Sequence, residues 1–127
     1  MYYGIVETES LANPTVLKQL NVHKTVVIEP PESTSAKEWN INILHIDDQS
    51  VDRTKESIST NIKDEWFAVL FNDKKFYVIF RHKIFELERQ RKNKAYRQMV
   101  DYGESHGIQK IYLDFDANFK NYKELIN

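Results

Sequence analysis

The stretch from Glu65 to Leu87 constrains this chain more than any other: E-W-F-A-V-L-F, then N-D-K, then K-F-Y-V-I-F-R-H-K-I-F-E-L. Two runs rich in aromatic and β-branched residues, separated by turn residues, read as an antiparallel hairpin. In the first run Trp66, Ala68 and Leu70 share one face, and Phe67, Val69 and Phe71 share the other. Both faces are apolar, as in a central strand covered on at least part of each side. Asn72-Asp73 supplies the turn chemistry. The return run alternates Phe76, Val78 and Phe80 with Tyr77, Ile79 and Arg81, then continues through Ile84, Phe85 and Leu87. That is long for one strand, so a bulge or bend is expected near Arg81-His82.

Around this hairpin the remaining elements follow from periodicity and breakers. Residues 2–7, Y-Y-G-I-V-E, read as a strand, and Asn13-Pro14 opens a short helix carrying Val16, Leu17 and Leu20. Residues 24–29, K-T-V-V-I-E, read as a strand that Pro30-Pro31 ends; Pro30 to Lys37 has the composition of a linker. Trp39 to Asp47 alternates as a strand, and a helix over residues 50–63 follows with a thin buried stripe of Val51, Ile58 and Ile62. Residues 90–106 read as the main helix, stopped by Gly107. I-Y-L-D-F then reads as a last short strand, and residues 118–127 as a tail or short docking helix.

From Trp39 onward the order is β-α-β-β-α-β, the split βαβ or ferredoxin-like arrangement, an α+β class. The expected organisation is an N-terminal ββ or βαβ extension over residues 1–30, a ferredoxin-like domain over 38–117 with a four-stranded antiparallel sheet, and the C-terminal segment. Both helices would cover one face of that sheet and leave the other open.

Several function classes are excluded by what is missing. There is no cysteine, hence no disulfide, thiolate zinc site, iron–sulfur cluster or cysteine nucleophile. That fits a reducing cytosol, and the absence of a long apolar run argues against a membrane span. Three glycines cannot build a phosphate loop, and neither G-x-S-x-G nor S-x-x-K occurs. No cofactor and no metal are expected. Net charge is −1, but residues 81–97 hold seven basic residues against Glu86 and Glu88.

Four candidate sites follow. His45-Ile46-Asp47 places two possible ligands or acid–base groups on one side of a strand, to be joined by His82 or Asp114 from elsewhere. Asp47-Asp48, and Asp114 with Asp116, could hold magnesium or simply cap helices. D-K-K-F-Y-V-I-F occupies the strand where an RNA-recognition motif carries its stacking aromatics, so Tyr77 could stack a base, although the glycine and the leading basic residue of that pattern are missing. Arg89, Arg91, Lys92, Lys94 and Arg97 form a basic run that could meet an anion or lie as a solvated helix face.

The stretches E-W-F-A-V-L-F-N-D, K-F-Y-V-I-F-R-H-K-I-F, and Y-G-E-S-H-G-I with its following L-D-F resemble a small set of uncharacterised bacterial proteins. The resemblance implies no activity and no catalytic residue. The reading that follows from the residues is a non-catalytic binding or protein-interaction module. An open apolar sheet face predicts a homodimer through the sheet, with Trp66, Phe76, Tyr77, Val78 and Phe80 at the contact. A nucleic-acid-binding protein using Tyr77 and the basic helix is one alternative, and a small enzyme using His and Asp as acid–base groups is another.

Overall fold

A computed structural model describes residues 1–29, 38–89 and 92–126, with only the backbone described over 116–120. The 30–37 linker segment and Arg91 lie outside the described residues, as does the Asp116 side chain. The chain is α+β. Among the described residues six strands form one antiparallel sheet: β1 (Tyr2–Glu7), β2 (Val22–Ile28), β3 (Trp39–Ile46), β4 (Ala68–Phe71), β5 (Lys75–Phe80) and β6 (Lys83–Glu88), in the order β2-β3-β1-β4-β5-β6. The described α-helices are α1 (Val51–Asn61), α2 (Lys94–Ser105) and α3 (Phe115–Ile126).

This order corrects the expected layout in three places. The N-terminal segment does not merely add to an edge: β1 lies between β3 and β4, pairing Ile5 with Ile43 on one side and with Val69 on the other. The reason is in its composition, since Ile5 and Val6 are both buried on opposite faces of the strand. Gly4 lets Leu44 and Leu70 close in, because a Cβ there would stand 2.8 Å from Leu70 Cδ2 and 3.0 Å from Leu44 Cβ. Second, residues 76–87 are not one bent strand. The chain reverses fully at Arg81-His82, so that Phe80 pairs with Lys83. His82 takes the left-handed backbone (φ 57) that the tight turn requires, and its N–H donates to Ser59 O at 3.2 Å. Third, Lys110–Leu113 forms a 3-10 turn instead of the fourth ferredoxin strand. The layer found is therefore not the expected set of four strands.

The helices also lie on opposite faces of the sheet, not together on one. On the first face Tyr2, Val6, Leu44, Ile46, Leu70 and Ile79 pack with Val51, Ile58 and Ile62 of the α1 segment, and with Leu11 and Val16 from the chain between β1 and β2. On the second face Ile5, Ile43, Val69, Phe71, Phe76, Val78 and Phe80 pack with Met99 and Val100 of α2 and with Ile108, Leu113 and Phe115 beyond it. Opposite faces receive opposite helices because each inner strand carries an adjacent buried apolar pair, Ile5-Val6, Ile43-Leu44, Val69-Leu70 and Val78-Ile79, so both sides must be removed from water.

Local chemistry sets the ends of these elements. Asn72 Oδ1 accepts from the N–H groups of Lys74 and Lys75 at 2.8 and 3.0 Å, closing the β4–β5 turn through its side chain. Asn93 caps α2 by accepting from Tyr96 N. At the other end Gly107 (φ 86) carries the helix stop: its N–H donates to Glu104 O and that of Ile108 to Gly103 O, the paired bonds of a Schellman motif.

Candidate functional site

The residues expected at an open sheet face are enclosed within the chain itself. Phe76, Val78 and Phe80 belong to the second-face core beneath α2 and α3, and Tyr77 to the first-face core. Only Trp66 among them is half-buried, edge-on to Trp39 with ring centroids 6.4 Å apart. The faces that were to meet a second copy are thus occupied by this chain's own helices.

Tyr77 does not present its ring to solvent. It is 8% exposed, Lys55 Nζ of α1 stands 3.9 Å over its ring, and Tyr2 packs beside it with centroids 5.7 Å apart. Burial and the neighbouring Glu86 carboxylate push its hydroxyl up to about 12. Lys75 bridges to Glu86 at 3.3 Å, which raises the lysine; the Tyr77 hydroxyl, and then Lys75, lower the carboxylate. A base could stack on this ring only by displacing Lys55.

The basic run is dispersed by its own contacts. Arg89 Nη1 donates to Asp73 O at 2.9 Å, which folds it onto the β4–β5 turn. Lys92 turns toward Asp114, 3.9 Å away, and over the Tyr96 ring. Lys94 and Arg97 are exposed on α2. A polar groove of about 640 Å³ touches Lys74, Lys75 and Arg89, but Glu86, Glu88 and Asp73 line it too.

The four histidines do not converge. His23 and His45 stack, ring centroids 4.0 Å apart, at the start of β2 and the end of β3, and Tyr3 meets His45 edge-on. Burial, then the charge of His23, lowers His45. His82 sits in the β5–β6 turn. His106 stacks on Tyr102, and its Nδ1–H donates to Tyr102 O at 2.8 Å. Among the described residues no three of His, Cys, Asp and Glu stand close enough to share a metal ion. His45 and Asp47 do line one cleft of about 400 Å³, bounded by Gln19–Asn21, the end of β3 and α1.

Two features escaped the reading of residue types. The first is the outer edge of β2. Its inner half carries a bulge at Val22/Lys24 and a charge at Lys24. Its outer half, Thr25-Val26-Val27-Ile28, is uncharged and β-branched; Val27 is 54% and Ile28 36% exposed, and no described strand pairs beyond it. The second is Glu7, the last residue of β1, half-buried on the second face. Burial raises its carboxyl to about 7, and Tyr122 of α3 lies close enough for the Glu7 charge to raise its phenol, after burial itself. The alternation Tyr3, Ile5, Glu7 is legible as a face, but the approach of Tyr122 of α3 to Glu7 is not.

No protein-family model, curated protein or solved structure matches the chain. Among the described residues no helix is long and apolar enough to cross a membrane.

Proposed function

We propose that the protein is a non-catalytic protein-interaction module of the cytosol whose first partner is a second copy of itself, joined through the outer edge of β2. The observation that carries this reading is the uncharged T-V-V-I half of that strand, with Val27 and Ile28 in water. An unprotected edge offers unpaired N–H and C=O groups to another strand, and proteins ordinarily blunt such an edge with charge, proline or a bulge. The opposite edge is blunted in that way: Lys83, Glu86 and Glu88 of β6 are all exposed. β2 carries its bulge and its lysine only in the half nearest Val22.

A two-fold axis normal to the sheet can place Val27 against its own copy, Val26 against Ile28 and Thr25 against Glu29. No like charges then face one another, and apolar side chains meet on both faces. This route differs from association through a sheet face, which the helices already occupy. An interface of one strand pair is small, so the dimer is weak and concentration-dependent.

Sedimentation equilibrium over a concentration series up to the millimolar range tests the proposal. The native chain should associate, and V27K, which sets two ammonium groups face to face at the axis, should be monomeric with an unchanged circular dichroism spectrum. A native chain that stays monomeric throughout, or a V27K variant that associates equally well, would overturn it.

A further inference from the structure

We propose that the cleft between Gln19–Asn21, the end of β3 and the first two turns of α1 binds a small zwitterion, a free α-amino acid with an apolar side chain. The cleft holds about 400 Å³, the scale of a small-ligand site. Its floor is a helical stripe at positions 50, 53, 54 and 57: Ser50, Arg53, Thr54 and Ser57 recur at i, i+3, i+4 and i+7 and all line it. The apolar stripe of the same helix, Val51 and Ile58, faces the core. The polar stripe adjoins it, Thr54 lying at the border between Val51 and Ile58, and it lines the cleft.

Thr54 is the most telling of these residues. It is 7% exposed, and its hydroxyl has no hydrogen-bond partner among the described residues. A buried helical threonine ordinarily satisfies itself on the carbonyl one turn back, as Thr60 does on Glu56 O at 3.0 Å. Ser50, the residue preceding α1, makes no capping bond with its side chain either. Ser50 is half-buried and Thr54 buried as a residue, and both line the cleft, where their hydroxyls are open to a bound group.

Charge decides the class of ligand. The other ionic groups around the start of α1 are paired: Asp48 with the Met1 ammonium at 2.8 Å, and Asp52 with Lys55 at 3.1 Å. Arg53 and Asp47 line the cleft together, yet neither forms an ion pair with the other or with any described residue. A free anion such as phosphate would be drawn to Arg53 but repelled by Asp47. A ligand carrying both signs satisfies both: its carboxylate meets the Arg53 guanidinium and the hydroxyl stripe, and its ammonium meets Asp47. Leu20 and Ile46 supply the apolar wall for its side chain.

The test is an NMR titration of the full chain with L-leucine, following backbone amides from His45 to Ser57, with butyrate, n-butylamine and inorganic phosphate as single-charge probes. Leucine should shift these amides saturably, and each single-charge probe should bind about tenfold more weakly or worse. R53Q and D47N should each cost a similar factor, and T54V a smaller one, with helix content unchanged by circular dichroism. Absence of saturable shifts with leucine, equal response to butyrate or phosphate, or R53Q binding as well as the native chain would each overturn the proposal. None of these readouts depends on self-association, so V27K can be titrated in parallel to keep the two proposals apart.

Discussion

Glu7 is a carboxylic acid placed where its charge is unwelcome. It closes the second-face alternation of β1, with the Glu9 carboxylate adding to the burial that raises it to about 7 from an ordinary 4.5. A group whose folded value lies above its unfolded value contributes stability that is full below the unfolded value and is lost as pH rises through the folded one. E7Q keeps the shape and removes the titration. Chemical denaturation should find E7Q more stable than the native chain at pH 8 by roughly 1–3 kcal/mol. The gap should narrow below about 7 and close near 4.5. A pH-independent difference between the two chains would refute the assignment. At this scale the sequence was half legible. His45 and Asp47 do share a cleft, but neither partner expected for them joins it: His82 lies in the β5–β6 turn and Asp114 beside Lys92. In the sequence Thr54 reads only as lying between Val51 and Ile58 on the helix's buried stripe, and Arg53 carries no signal, since a threonine's missing bond exists only once the helix around it is built.

At the scale of elements, what could be read was whatever local chemistry decides. The β4–β5 turn, the Gly107 stop and the span of β1 follow from Asn72, from a residue free to take φ 86, and from six residues of strand composition. What could not be read was pairing. I-Y-L at 111–113 has a strand's residues, but a short apolar run does not distinguish a strand from a helical turn. Here Leu113 is buried beside Gly103 of α2 while Ile111 is left in water. Arg81-His82 lacks the glycine or asparagine that announces a hairpin, so an unbroken alternation concealed two strands. Gly4 is the counterpart: a small residue in an otherwise bulky strand, there because two neighbouring strands crowd it. G4A should destabilise the chain by about 1–3 kcal/mol, since Leu44 Cβ is fixed to its backbone and cannot rotate out of the way. Urea denaturation measures it; a G4A variant as stable as the native chain would mean that β1 is not packed this closely.

For the molecule as a whole, the decisive fact is that the earliest strand in sequence lies among the innermost in space. β1 supplies both connections between the two halves of the sheet, to β3 on one side and to β4 on the other. Without it β3 keeps only β2, β4 keeps only β5, and Leu44, Ile43, Leu70 and Val69 lose the neighbours that exclude water from them. A chain cut to residues 38–127 would retain every element of the expected ferredoxin-like unit, and on that arrangement it should fold alone. On the observed topology it loses β1 and β2 together, leaving β3 with no strand partner and the β4–β6 meander exposed along β4. We expect this fragment to show no cooperative transition in urea and poorly dispersed amide resonances, and a peptide of residues 1–29 added in trans to restore dispersion, because the missing piece is an interior strand and not an appendage. Cooperative unfolding of the fragment alone, at a stability near that of the full chain, would show that the sheet can close without β1.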